Sequence, residues 1–558
     1  MEPASPPSKR STRALPSNLK PQRHNRTTMN ILIAEPLAPA GIELFRSQPG
    51  WNTIVSNPKE YAQHLPQADA LLVRSAVQVN ASVLEKAPKL RVIGRAGVGV
   101  DNVDLDAATE AGVLVMNTPG GNAVSVAEHT LALMLAMARR IPQASASTRA
   151  GKWEKKKLMG NELRGKTLGI IGLGSIGREV VKRARAFEMR IVAHDPYVTS
   201  KLAQDLAVEL VGLPALYAAS DYISLHVATT PETQGILSHE AFGLMKPGVR
   251  IVNCARGELV DETALLEAVQ SGKVAGVALD VYSAEPPPAG FPLFALDAVL
   301  ATPHIGGSTE EAQEIVGVRI AEQVVEYLKS GVAINAVNMP SLSPEQYRAL
   351  GPYITLAERL GAFASYIATG NPRTVRLVYF GKIAATNTSL LRNAGLAGVL
   401  SRSTTRKANL VNALQMAEHR GWNVSETHEK RSVHTDSIRL EVETDSGVTT
   451  VEGVVLLEKP RLIQVDGIYC ETPLSGFLIF MKNQDVPGVI GHVGTVLGRN
   501  KINIANFSLG RRDAPAAPGE PLEAVALVST DELVPESVLA QLRANPAVKF
   551  ARSVEFRA

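Results

Sequence analysis

Cysteine is nearly absent. Cys254 and Cys470 are the only two in 558 residues, far apart and with no C-x-x-C spacing. That excludes a disulfide-stapled scaffold, argues against a structural zinc site, and suits a reducing, cytoplasmic setting; no metal site is expected. Both are expected to be small buried residues. Long hydrophobic runs are also missing. The most apolar stretch, Thr130 to Ala138, falls well short of the ~18 residues of a membrane helix. An excess of one charge is lacking too. The net charge is +4, but residues 1–28 carry six Lys or Arg against one Glu, which leaves the remainder at −1. A basic footprint for nucleic acid is therefore excluded from the folded part. With 45% hydrophobic and 20% charged residues, the composition is that of a globular protein, and the length predicts several domains.

Residues 1–28 are rich in Pro, Ser, Arg and Asn. They cannot support a core and are expected to be disordered. They lack the apolar segment of a secretory signal. An Arg-rich, acid-poor tail also fits an organelle transit peptide. A start at Met29 is favoured, because the strand-like run Asn30 to Ala34 follows it at once.

The stretch from Lys166 to Tyr197 organises what is present. An apolar run, Thr167 to Ile171, leads into Gly172, Gly174 and Gly177 in the pattern G-x-G-x-x-G. A helix to about Phe187 follows, with Ile176, Val180, Val181 and Ala184 on one face. A second strand, Arg190 to His194, ends at Asp195. The first glycine permits the tight turn, the second lets backbone approach a pyrophosphate, and the third lets helix and strand pack closely. The helix N-terminus faces the phosphates. A carboxylate about 20 residues on can accept hydrogen bonds from an adenine ribose and would repel a 2′-phosphate, so the pattern predicts NAD rather than NADP.

Strands alternate with helices before and after this unit. Asn30 to Ala34, Ala70 to Val73, Arg91 to Ile93 and Val113 to Met116 predict a first parallel sheet. A helix from Ala123 to Arg140 bridges to the nucleotide unit. That unit continues through Tyr222 to His226, Arg250 to Cys254, Gly276 to Asp280 and Val299 to Thr302. A helix from Glu310 to Leu328 is expected to return to the first lobe. The fold class is thus α/β, two Rossmann-like lobes with a cleft between them. Asn335 to Glu345 reads as a boundary. Beyond it, alternating segments with turns at Asp445-Ser446-Gly447 and Asp466-Gly467 predict antiparallel hairpins. From Gly476 the order is βαββαβ, a ferredoxin-like arrangement.

Arg256, Glu285 and His304 all follow strands of the nucleotide lobe, so they can converge on its crevice. A carboxylate beside an imidazole raises its pKa and fixes its tautomer. The imidazole can then take a hydroxyl proton while hydride leaves the same carbon, and an Arg can hold a carboxylate in a bidentate fork. Spacing alone leaves a lone loop His open to other readings. His226 is expected to line the cofactor side without acid–base work. His129 is expected to be a packed helix residue, and His239, His419 and His434 surface residues.

Seven motifs carry a family resemblance: VRSA at Val73–Ala76, GRAGVGVDNVD at Gly94–Asp104, MNTPGGN at Met116–Asn122, GKWEKKKLMG at Gly151–Gly160, GLGSIGREV from Gly172, NCARGELVDE from Asn253 and PHIGGST from Pro303. On them the chain from Met29 resembles the D-isomer-specific 2-hydroxyacid dehydrogenase family, in its long form. The resemblance implies catalytic Arg256, Glu285 and His304. It implies NAD contacts from Gly172, Gly174, Ser175, Ile176, Gly177, Asp195, Val227, Cys254, Ala255, Arg256, Asp280, His304, Gly306 and Gly307. Substrate contacts are implied for Arg74, Ser75, Gly97, Val98, Gly99 and Asn102. The implied reaction is oxidation of D-3-phosphoglycerate to 3-phosphohydroxypyruvate, which opens L-serine synthesis, by a homo-oligomer (dimer or tetramer). Another 2-hydroxyacid activity, as in glyoxylate or hydroxypyruvate reductases, and an NAD-binding corepressor on the same fold remain as alternatives. The C-terminal portion resembles an intervening domain followed by an ACT domain, with Asp485 and Asn503 implied to contact L-serine. Asn483 departs from the aromatic residue of some serine-regulated relatives. The expected organisation is an extension at 1–28, a substrate-binding domain at 29–126 and 304–336, an NAD-binding Rossmann domain at 127–303, an intervening α+β domain at 341–475 and an ACT domain at 476–558.

Overall fold

The computed structural model describes residues 28–402, 407–429, 436–514 and 521–556. Residues 1–27 and His434, on which two of the expectations above fall, lie outside them. Among the described residues four sheets carry the fold. The first is parallel throughout, in the order Trp51–Val55, Met29–Ile33, Ala70–Val73, Val92–Arg95, Leu114–Met116. The second is parallel and seven-stranded, in the order Val299–Ala301, Val274–Leu279, Val249–Asn253, Tyr222–Leu225, Thr167–Ile171, Arg190–His194, Glu209–Leu210. Helices cover both faces of such sheets, so central strands are buried on both sides and read as continuous apolar runs. Ala70–Val73, Thr167–Ile171 and Tyr222–Leu225 are buried at every residue. Strand order reverses between Thr167–Ile171 and Tyr222–Leu225. A ligand crevice opens at such a switch point, outside the carboxyl ends of the strands.

The chain crosses twice between these lobes. The first crossing enters helix Ala123–Ala138, which ends two residues earlier than the periodicity predicts, because Arg140 adopts a left-handed backbone at φ +50°. The second enters helix Glu310–Ser330. Its Val316, Ile320 and Val324 pack into the core that holds Ile31, Ile33 and Leu72, which returns the chain to the first lobe. Ser125 Oγ and Thr309 Oγ1, 2.7 Å apart, tie the two crossings together.

The segment read as a boundary is stitched to the first sheet instead of hanging free. Asn338 accepts from Val115 N at 2.9 Å and donates to Val113 O at 2.9 Å. Ser343 then caps helix Pro344–Ile367 in a capping box with Gln346, which satisfies two orphan backbone donors. The third sheet runs Asn423–Glu429, Pro372–Phe380, Ser437–Thr444, Gly447–Leu456, Lys459–Val465, Ile468–Pro473, antiparallel except for its first pair. The fourth, in the order Ile504–Arg511, Glu523–Thr530, Gly476–Gln484, Val548–Phe556, is antiparallel, with helices Val489–Arg499 and Glu536–Arg543 on one face. Among the described residues no helix is long and apolar enough to cross a membrane.

Candidate functional site

Gly172 turns the chain out of its strand at φ +97°, where a Cβ would lie 2.6 Å from His226 O. A Cβ on Gly177 would run into Gly172 O, whereas one on Gly174 would meet nothing within 4 Å. Two glycines thus permit the crossover, and the third faces open space at the N-terminus of helix Ser175–Ala186. That cradle suits a pyrophosphate. Asp195 lies at the end of the next strand. Its Oδ2 accepts from Leu173 N at 2.8 Å and its Oδ1 from Tyr197 N at 2.9 Å, so the carboxylate is aimed along the rim of the glycine turn. Ser175 faces the crossing segment at Gly120, and the Val227 side chain abuts Gly172. Burial pushes the His226 imidazole down to about 3. That favours the neutral imidazole, which lies in hydrogen-bond contact with Ser224 Oγ at 2.8 Å, and disfavours uptake of a second proton there. The Cys254 thiol is driven up to about 12 by burial, so it is a packed neutral group.

Asn253, fully buried, shapes the next turn. Its Oδ1 accepts from Ala255 N at 3.0 Å and its Nδ2 donates to Arg256 O at 2.7 Å. Sequence reading passed over this residue. The Arg256 side chain crosses the cleft to Asp101 of the first lobe, Nη2 to Oδ2 3.0 Å. A Cβ on Gly257 would strike the backbone of Tyr282 and Ser283, so the Arg256 turn lies against the loop that carries Glu285. Glu285 Oε1 accepts from Tyr282 N at 3.1 Å, and its Oε2 is 2.6 Å from His304 Nδ1. With Nδ1–H donated to the carboxylate, Nε2 is left as the free ring nitrogen. His304 has a left-handed backbone, φ +53°, an uncommon state for a residue with a Cβ and one that the surroundings must hold.

Asp280 holds it. Expected to contact the cofactor, Asp280 is 1% exposed and its carboxylate is turned to protein donors. Oδ1 accepts from Thr302 Oγ1 at 2.6 Å and Ile305 N at 2.9 Å, and Oδ2 accepts from Gly306 N at 2.8 Å. His129 Nε2 lies 3.3 Å from the same Oδ1 and 3.2 Å from Thr302 Oγ1. Burial alone would raise the Asp280 pKa. The hydrogen bonds from His129, Thr302, Ile305 and Gly306 outweigh it and hold the pKa below the usual value. His129 is therefore more than a packed helix residue, since it links the bridging helix to the His304 loop. Gly307 sits against Asn122 of the first crossing.

In the first lobe, Asn102 is buried and donates to Arg74 O at 2.9 Å and Val77 O at 2.7 Å. Its amide nitrogen braces the Arg74–Ser75 loop, with both N–H groups given to backbone carbonyls. Glu35, also passed over, accepts from the backbone nitrogens of Arg74, Ala76 and Val77 and anchors the loop from below. Ser75 is exposed, and Val98 is half-buried with its carbonyl accepting from Asn117 Nδ2 at 2.5 Å. Gly97 and Gly99 leave room for side chains: Cβ atoms there would collide with the guanidiniums of Arg95 and Arg256.

At the C-terminal end, Met481, Asn483, Asp485, Pro487, Phe507 and Leu509 are among the residues that line a cavity of about 340 Å³. Asp485 is paired with Arg511 at 3.1 Å. Asn503 is elsewhere, donating to Asp531 at 2.9 Å. Antiparallel register sets Gln484 beside Glu523 and Ile504 beside Thr530, so Asp485 and Asn503 stand at opposite ends of the sheet. One chain does not bring them to one ligand.

Comparison with known proteins gives the class first. Residues 131–306 match the NAD-binding domain of D-isomer-specific 2-hydroxyacid dehydrogenases. Residues 349–466 match the D-3-phosphoglycerate dehydrogenase intervening domain, and residues 477–547 an ACT domain. The chain is 43% identical over 523 residues to D-3-phosphoglycerate dehydrogenase of Methanocaldococcus jannaschii, covering 93% of this chain and 98% of the relative. It is 43% identical over 513 residues to that of Archaeoglobus fulgidus, covering 91% and 96%. The chain belongs to the D-3-phosphoglycerate dehydrogenase family. Among solved structures, a Thermus thermophilus protein superposes on 55% of this chain and all of its own, with a TM-score of 0.51 and 36% identity. Apo D-lactate dehydrogenase from Escherichia coli does so at 0.50 and 31%, over 55% of this chain and all of its own.

Proposed function

We propose that this chain oxidises D-3-phosphoglycerate at its C2 hydroxyl to 3-phosphohydroxypyruvate, with NAD as the acceptor. The observation that carries the reading is the 2.6 Å contact between Glu285 and His304, in a crevice whose glycine turn leaves room for a dinucleotide. Bound NAD supplies the hydride acceptor. His304 Nε2 takes the hydroxyl proton as hydride leaves C2, and Glu285 stabilises the imidazolium that results. Arg256 forks onto the substrate carboxylate and polarises C2, exchanging its Asp101 partner for the substrate. Arg74, Ser75 and the Gly97–Asn102 loop receive the rest of the substrate. Asp195 accepts from the adenine ribose and disfavours a 2′-phosphate. The matches to an intervening and an ACT domain favour this reading over the shorter glyoxylate and hydroxypyruvate reductases. In this reading the domains fall at the boundaries expected above, and the enzyme is a cytoplasmic homo-oligomer. L-Serine binds the ACT unit at Asp485, and Asn503 completes the site only if a second copy brings it there.

The test is NADH formation from NAD over a panel of 2-hydroxy acids, with product removed. D-3-Phosphoglycerate should be the best substrate. His304→Ala should lower kcat by roughly 10²–10⁴-fold with little change in the Kd for NADH. Near-normal kcat in that variant would remove His304 from the mechanism.

A further inference from the structure

A Cβ on Gly99 would collide with Arg256 Nη2 and with Asp101 Oδ2, so the ion pair that crosses the cleft lies directly over this glycine. The pair is lopsided. Arg256 comes from the nucleotide lobe with its side chain 27% exposed, and Asp101 from the first-lobe loop at 71%. Asp101 meets one nitrogen only, Nη2 at 3.0 Å, while Nη1 donates to Ala255 O at 2.6 Å. An exposed single contact of this kind is weak. Leaving Arg256 bare is nevertheless unfavourable, because the guanidinium of Arg95 lies over Gly97 in the same loop. Burial, and then the charge of Arg256, lower the Arg95 pKa, and Asp101 pulls it back. The loop backbone is fixed at the next residue, where Asn102 donates to Arg74 O and Val77 O. Asp101 can therefore leave Arg256 by turning its side chain alone.

We propose that Asp101 is a built-in stand-in for the substrate carboxylate, a positioning residue that holds Arg256 in the empty site and is displaced when a carboxylate binds. This rests on the dehydrogenase reading above and deepens it, because it assigns to Asp101 the selectivity of the carboxylate end of the site. A group that stabilises the free site and not the occupied one weakens binding by the same amount. Every ligand of Arg256 must therefore displace Asp101. A carboxylate that forks onto two guanidinium nitrogens does so, since two parallel charge-assisted bonds replace one. An anion held at one nitrogen, or by charge alone, gains nothing over the contact it breaks. The pair thus keeps small anions off Arg256 and holds the guanidinium over Gly99, ready for the fork.

The experiment measures Kd by calorimetry on the NADH-loaded enzyme, a complex that does not turn these ligands over. The ligands are D-3-phosphoglycerate, D-glycerate and glycerol 3-phosphate, which keeps the phosphate and lacks the carboxylate. The proteins are the wild type, Asp101→Asn, Arg256→Gln and the double variant. Loss of an exposed ion pair predicts that Asp101→Asn binds both carboxylates about 2- to 5-fold more tightly and glycerol 3-phosphate no better. In the Arg256→Gln background the same substitution should tighten none of the ligands, because the competition runs through that guanidinium. Acetate should compete with D-glycerate more strongly in Asp101→Asn than in the wild type. Equal tightening of all the ligands makes Asp101 a general source of repulsion, and weaker binding of all makes it a clasp that closes the lobes. Either result overturns the assignment, as does an unchanged Kd for D-glycerate. Should Asp101→Asn fail to fold, Asp101→Ala at the same exposed position decides by the same comparison. A wild type that binds neither carboxylate defeats the substrate reading itself, whereas one that binds both and is indifferent to Asp101→Asn defeats only the role of Asp101.

Discussion

Replacing Asp280 by Asn tests what holds His304 in place. The carboxylate receives Thr302 Oγ1, Ile305 N and Gly306 N at 2.6, 2.9 and 2.8 Å. An amide of the same shape can keep one oxygen only. In its better orientation that oxygen retains Thr302 and Ile305, and the new NH₂ group faces Gly306 N–H, donor against donor. Loss of one hydrogen bond to a charged acceptor costs about 1.5–3 kcal/mol, and the two survivors weaken to the neutral scale, so the sum is about 3–5 kcal/mol. That exceeds the ~1–3 kcal/mol needed to hold a left-handed residue with a side chain. The loop should therefore relax, taking His304 away from Glu285. Urea denaturation should show the stability loss, and kcat should fall at least tenfold, while NADH Kd moves little. The pH dependence has a definite sign. The Asp280 pKa is depressed in the fold, so its contribution is present above the unfolded value of about 3.9 and is lost as pH falls through the lower folded value. The gap in stability between wild type and Asp280→Asn should thus close below about pH 4. Unchanged stability and kcat together with a tenfold weaker NADH Kd would refute this reasoning and make Asp280 a cofactor ligand.

The two glycine substitutions should separate fold from binding. Gly177→Ala places a Cβ against Gly172 O and should lower both thermal stability and NAD affinity. Gly174→Ala adds a Cβ to open space, so its melting temperature should stay near that of the wild type while NADH Kd rises at least tenfold. At the other end of the chain, Asp485→Ala should leave turnover without effector intact and abolish inhibition by L-serine, with typical coupling of about 5- to 150-fold in affinity at stake. Turnover against serine concentration measures it. A wild type indifferent to millimolar serine would make the domain an assembly unit, and equal inhibition of both proteins would place serine elsewhere.

Local order was legible in the residues themselves. The strand, glycine turn and helix around Gly172–Gly177, and the βαββαβ succession from Gly476, each rest on periodicity and turn residues within a few dozen positions, where chain geometry leaves few options. The region from Ser343 to Glu429 was less readable. Its strands Pro372–Phe380 and Asn423–Glu429 pair in parallel across intervening helices, a contact that neither segment signals alone. What only the tertiary structure decided is which side chains meet. Arg256 reaches Asp101 across the cleft, and His129 reaches Asp280 from the bridging helix. Asp485 and Asn503, both next to strands of the last domain, are sent to opposite ends of their sheet. Sequence spacing sets how far along an element a residue lies. Register and lobe packing set what it faces, because those depend on burial summed over partners far apart in the chain.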